Sequence, residues 1–188
     1  MEKFTNLKTN ISNDNESDDV KFDDGYIKII SYEDWSLISE SDVVVCIIYL
    51  IDLNQIIVRQ EYVPTYKYRD GGEHYLTLVS GTMEDGETPE ETLLREIQEE
   101  AGIIIRDDFK IEFMKPLFMT KGHVNKYHPA IIQLTERDYN EVVASGDGSI
   151  AEKNSTSVKL DVKYINSLNS SDLITDYMLL HIKSYLNI

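Results

Sequence analysis

The strongest hydrophobic run is "DVVVCIIYLI", residues 42 to 51. It is β-branched and almost unbroken, which predicts a strand buried on both faces. "DLN" turns it into "QIIVRQEYV", and the two runs read as a hairpin. "YIKII" from Tyr26 predicts an earlier strand, and "HYLTLVSG" a later one that ends at Ser80-Gly81. "RDGGEH" between them reads as a turn or exposed loop. "FKIEFMKPLFM" from Phe109 has strand character, but Pro116 interrupts it, so it belongs at an edge or bulge. "HPAIIQLTE" and "VKLDVKYI" are further strands, separated by an irregular stretch.

The polar and apolar pattern changes period twice. From Thr88 a helix begins: Thr88 is its N-cap, Pro89 its first residue, and Glu91 completes a capping box. Gly102 stops it. "SSDLITDYMLLHIKSYL" is a closing amphipathic helix with Ile174, Met178, Leu179, Ile182 and Tyr185 along one stripe. Strands mixed with a few helices predict an α+β domain, layered as α/β/α. Residues 1–24 are polar and acidic and read as a flexible arm, leaving residues 25–188 as the folded domain.

Composition narrows the function. The 188 residues suffice for one ordinary domain, with 41% hydrophobic residues. Thirty-four acids against 18 bases give a net charge of −16. That excludes binding to a nucleic-acid backbone or an anionic membrane surface, both of which need a basic face. A small anionic substrate stays compatible if a metal or local bases neutralise it. The single cysteine, Cys46, makes no internal disulfide and reads as a buried thiol. No leader-like segment opens the chain and no apolar run reaches membrane-spanning length, so the expected compartment is the cytoplasm.

The acids concentrate in "GTMEDGETPEETLLREIQEEAGI", residues 81 to 103. On the predicted helix Glu96, Glu99 and Glu100 stand at i, i+3 and i+4 and share one face, while Leu93, Leu94, Ile97 and Ala101 take the other. Like charges so placed destabilise a bare helix by a few tenths of a kcal/mol per pair. A hard divalent cation reverses that sign, and Mg²⁺ typically sits between one or two carboxylates and substrate phosphates. Glu87 lies within ion-pair reach of Arg95. Gly81 permits a close backbone approach, which would let the Ser80 carbonyl face the metal.

The spacing is glycine, five residues, glutamate, seven residues, then Arg-Glu-Ile-Gln-Glu-Glu-Ala-Gly-Ile. It resembles the Nudix box, GX5EX7REUXEEXGU with U aliphatic, at every defined position. A chance match at one start site is on the order of one in 10⁹. The resemblance implies an α/β/α sandwich with a mixed β-sheet and a loop-helix-loop box. It also implies Mg²⁺- or Mn²⁺-dependent hydrolysis of a nucleoside diphosphate linked to another group. By position it makes Glu96 and Glu100 metal ligands. Glu99 becomes a further ligand or a residue that activates water, and Arg95 and Glu87 a structural pair, with Gly81 and Gly102 framing the box.

Within the family the surroundings resemble ADP-ribose pyrophosphatases. "IIVRQEYV" is similar to their V-x-Q-x-R strand, "YLTLVSGTMEDGE" to their "ELPAG" strand, and "SDLITDYMLLHIKSYL" to their closing loop and helix. Four positions depart: Tyr62 stands where arginine is expected, Thr77 for the glutamate of "ELPAG", Val79 for its proline, and Pro116 comes earlier after the box than the proline associated with ADP-ribose specificity. ADP-ribose is the first substrate choice; NADH, dinucleoside polyphosphates and nucleotide sugars are the others. A Nudix module that binds a nucleotide without cutting it is the alternative of another class. The resemblance places Glu152, in "GSIAEKNS", near the loop that carries the general base. Arg59 and Lys121 are candidates for substrate phosphate or ribose, and so are His123 and Lys126, although His123 and His128 read more simply as surface-loop histidines. Tyr62, Tyr66 and Tyr68 are candidates to stack on a base. Homodimers built through N-terminal strands occur among the relatives, which makes residues 25–60 the candidate dimer surface.

Overall fold

The structure is a computed structural model that describes residues 19–106, 109–145, 153–168 and 170–188. At its centre is an eight-stranded mixed sheet. Strand β4 (Val43–Leu50) is the run that predicted two-sided burial, and it is buried from Val44 to Leu50. Its even-numbered residues Val44, Cys46, Ile48 and Leu50 pack towards Leu93 and Ile97 of helix α2 (Pro89–Ala101). The odd-numbered Val45, Ile47 and Tyr49 pack towards Met178, Leu179 and Ile182 of helix α3 (Leu173–Leu186). Period-two alternation therefore feeds two cores, one on each face, and gives the α/β/α layering. Burial of each large aliphatic side chain contributes about 1.5–3 kcal/mol.

Around β4 the neighbours are β11 (Lys126–Leu134), which runs parallel to it, and β5 (Gln55–Tyr62), antiparallel across the predicted hairpin. Beyond β5 lies β13 (Thr156–Asp161), and beyond β11 lie β9 (Lys110–Phe113) and β10 (Leu117–Phe118). Pro116 separates these last two strands at the sheet edge, as its missing N–H requires. A two-stranded sheet pairs β8 (Ile103–Ile105) with β12 (Tyr139–Glu141).

Three expectations change. "HYLTLVSG" is two strands, β6 (His74–Thr77) and β7 (Val79–Thr82). Strand β6 runs antiparallel to β5 and β7 antiparallel to β4. Because β4 and β5 are themselves antiparallel, the chain must turn back at Leu78, whose side chain is buried. The two short strands thus wedge open the hairpin and aim β7 at the acidic helix. Second, the turn or loop expected over "RDGGEH" opens within a short helix, α1 (Pro64–Asp70), started by Pro64 and ended by Gly71 at φ 76°. Third, the arm expected over residues 1–24 gives way to strand β1 (Asp19–Asp23), paired with β2 (Lys28–Tyr32), which pairs in turn with β3 (Trp35–Ser39). Residues 1–18 lie outside the described residues. None of the helices among the described residues is long and apolar enough to cross a membrane.

Candidate active site

Helix α2 starts as its sequence predicts. The Thr88 hydroxyl accepts from the Glu91 N–H and the Glu91 carboxylate accepts from the Thr88 N–H, with Pro89 at the first position. At the other end Gly102 adopts φ 64°. A Cβ there would meet the Val142 carbonyl at 2.3 Å. The helix is therefore fixed at both ends, and its glutamate face is presented to β7.

Arg95 organises that face. Its Nε and Nη2 each lie 3.0 Å from a Glu87 carboxylate oxygen, a bidentate pair, and Nη2 also donates to the Thr82 carbonyl. Its Nη1 lies 2.6 Å from Glu96 Oε1 and 3.1 Å from Glu99 Oε2. One guanidinium thus serves three carboxylates. Glu87 also accepts from the Thr92 hydroxyl and the Glu84 N–H. The Arg95 bonds, ahead of these, hold its carboxyl down to about 2.

Gly81 explains how Glu96 reaches the strand. A Cβ at residue 81 would stand 1.9 Å from the Glu96 carboxyl carbon and from its Oε1. The space an alanine side chain would take is filled by the carboxylate.

Glu100 is held differently. Its Oε1 pairs with Arg59 Nη2 at 3.1 Å, and its Oε2 accepts from the Ser80 N–H at 3.1 Å. Both side chains of the pair are buried, 5% and 9% exposed. Burial pushes the Glu100 carboxyl up to about 8, while Arg59 and the Ser80 N–H act in the opposite direction. Arg59 Nη1 and the Ser157 hydroxyl both donate to the Glu100 carbonyl.

Several expected residues fall elsewhere. Glu96 and Glu99 converge on one point, the Arg95 Nη1 atom, but Glu100 is drawn aside by Arg59. Among the described residues no three metal-ligating side chains surround one point. Arg95 pairs with Glu96 and Glu99, and Arg59 pairs with Glu100. The Ser80 N–H donates to the Glu100 carboxylate. Arg59, a candidate for substrate contact, is paired with Glu100 and lines the cavity beside Glu99 and Glu100. Lys121 lines a separate groove with Leu37, Phe118 and His123, not the cavity beside Glu99 and Glu100. Glu152 lies outside the described residues. His128 is not a bland loop residue, because its Nε2 lies 2.8 Å from Asp42 Oδ2. Tyr62 packs edge-on against His74, Tyr66 against Tyr75, and Tyr68 is exposed.

The donor set fits a hard divalent cation. Two carboxylates already share one cationic point, and Mg²⁺ is ordinarily held by one or two carboxylates with substrate phosphates and water. A cavity of about 320 Å³ opens beside them, bounded by Glu99, Glu100, Arg59 and the segment from Lys153 to Ser157.

The family model of the NUDIX domain matches residues 40–143, more than half of the chain. The chain belongs to the NUDIX domain family. Within that frame residues 81–103 are the Nudix box, and the mixed sheet between α2 and α3 is the Nudix fold. A solved structure titled as that of an ADP compounds hydrolase superposes with a TM-score of 0.60. It covers 86% of this chain and 84% of its own at 16% identity, a likeness of fold. No curated protein matches.

Sequence reasoning missed two features of this Nudix site. Thr77, where "ELPAG" has glutamate, donates its hydroxyl to Glu61 Oε2 at 2.7 Å. A carboxylate is thus present, but from the neighbouring strand, a substitution visible only once the β5–β6 pairing is known. Lys153 lines the cavity as well. Its signal in the sequence is its place directly after Glu152.

Proposed function

We propose that this Nudix pyrophosphohydrolase uses Mg²⁺ to cleave the diphosphate of a nucleoside diphosphate linked to a second group, with ADP-ribose giving AMP and ribose 5-phosphate as the first substrate. The observation that carries the reading is the meeting of Glu96 and Glu99 on a single cationic atom beside Gly81. The fold likeness to an ADP compounds hydrolase supports an ADP-containing substrate. Glu96, Glu99 and Glu100 would hold the metal. When bound, it would supply charge neutralisation for the diphosphate and Lewis acidity towards the attacking water. The chain supplies the rest: Gly81 clears the approach of Glu96, and Arg95, anchored by Glu87, keeps the glutamate face in register. Glu99, the most exposed of the three, would help activate the attacking water. Glu152 is the general-base candidate outside the box.

The test is cleavage of a panel of ADP-ribose, NADH, a dinucleoside polyphosphate and a UDP-sugar, with and without Mg²⁺, products being weighed by mass spectrometry. Mg²⁺-dependent AMP release from ADP-ribose, lost in Glu99→Gln, is the expected result. Tight binding of ADP-ribose without turnover would replace the enzyme with a nucleotide-binding module.

A further inference from the structure

We infer that the cavity beside Glu99 and Glu100 receives the sugar-phosphate half of the substrate, and that Lys153 binds its phosphate. The inference rests on the proposed cleavage of a diphosphate at the box, and it concerns which half of the molecule lies on which side.

The lining of the cavity carries the argument. Besides Glu99 and Glu100 it is lined by the hydroxyl-bearing residues Ser145, Ser155, Thr156 and Ser157. No aromatic ring lines it among the described residues, so nothing there stacks a nucleobase. Hydroxyls suit a polyhydroxylated group, which needs partners that both donate and accept.

Charge narrows the choice further. A phosphate entering beside two glutamates of a chain with net charge −16 is repelled unless cations meet it. Of the two bases lining the cavity, Arg59 is buried and already paired with Glu100. Lys153 is exposed and has no ion-pair partner among the described residues. Among the described residues its ammonium is the cation open to a phosphate oxygen, through a charge-assisted hydrogen bond.

A separate observation shows that Lys153 is positioned rather than merely nearby. The next two residues are docked on the wedge end of the sheet. His74 Nε2 lies 2.9 Å from the Asn154 carbonyl, and the Tyr62 N–H donates to the Ser155 hydroxyl at 3.0 Å. His74 and Tyr62 in turn pack edge to face at 5.8 Å between centroids. The segment therefore holds Lys153 at the mouth of the cavity through contacts independent of the lysine itself.

The experiment compares the two product halves as ligands of the full chain. Binding of ribose 5-phosphate and of AMP, each with Mg²⁺, is measured by calorimetry for wild type, Lys153→Ala and Lys153→Arg. Lys153→Ala is expected to weaken ribose 5-phosphate by about tenfold, the scale of one lost charge-assisted contact, and to leave AMP within about twofold. Lys153→Arg is expected to restore most of the loss. In turnover of ADP-ribose, Lys153→Ala raises KM more than it lowers kcat. Equal weakening of both halves, loss of AMP alone, or no change would each overturn the inference. Failure of the wild type to cleave any panel substrate would instead sink the proposed function, and ribose 5-phosphate binding would still decide the role of Lys153.

Discussion

Two arginines serve the glutamates of α2, and they do so in opposite surroundings. Arg95 is partly exposed and divides its guanidinium among Glu87, Glu96 and Glu99. Arg59 is buried and pairs with Glu100 alone, with its Nε unpartnered. The difference teaches what each can give up. A half-exposed guanidinium bridging two carboxylates can yield that point to a cation at small cost, because water and Glu87 still satisfy it. A buried pair cannot lose one member without leaving a charge in the interior.

The largest effect is expected at the buried pair. Arg59→Met should cost about 3 kcal/mol in urea unfolding, the low end for such pairs, because Glu100 can take up a proton rather than stay charged. Arg59→Met combined with Glu100→Gln should recover much of it. A loss under about 1 kcal/mol for the single variant would erase the contrast between the two arginines.

Gly81→Ala addresses the exposed side of the comparison. The new Cβ displaces the Glu96 carboxylate, the movable end of a side chain, so the strand should hold and the site should not. Activity should fall about a hundredfold, the scale of a roughly 1 Å misplacement, with little change in the unfolding midpoint. Unfolding as severe as that of Arg59→Met would mean that the glutamate face is a stability element as well.

Thr88→Ala removes the helix cap, far from either choice of partner. It should cost about 1 kcal/mol and add to Arg59→Met without coupling. Coupling in the double variant would show that α2 and its buried pair unfold as one unit.

The smallest effect is electrostatic and shows in acid. The Glu87 carboxyl is held at about 2, below its ordinary 4.5. Its stabilisation is therefore complete above about pH 4.5 and is lost as pH falls through 2. Glu87→Gln should flatten the acid limb of stability between those values and leave the neutral-pH profile shape unchanged. An unaltered acid limb would mean that Arg95 finds other partners.

Much of the site was legible because its information is local. The Thr88 cap, the Gly102 stop and the Glu87–Arg95 pair all lie within a few turns of chain, where helix geometry alone sets who meets whom. The burial of β4 on both faces was legible for the same reason, since an unbroken β-branched run leaves no polar face to expose. Other elements were not. "PTYKYRD" is too short to show helical period, and "HYLTLVSG" carries no mark of its reversal at Leu78, which follows only from pairing with two diverging strands. "DVKFD" was too charged to look like a strand, and it is one because β2 offers it a partner.

By itself, then, the sequence determined the box, its helix and the acidic chemistry it brings, because those depend on residues three, four and eight apart. Tertiary structure decided which carboxylate each arginine takes. Arg59 and Glu100 are 41 residues apart and meet only because the fold sets strand β5 within side-chain reach of the end of α2. It also decided that Thr77 borrows the Glu61 carboxylate and that Lys153 stands at the cavity mouth. The physical reason is that such contacts join residues distant in sequence, for Thr77 and Glu61 through the register of β5 against β6 and for the others through packing against the sheet.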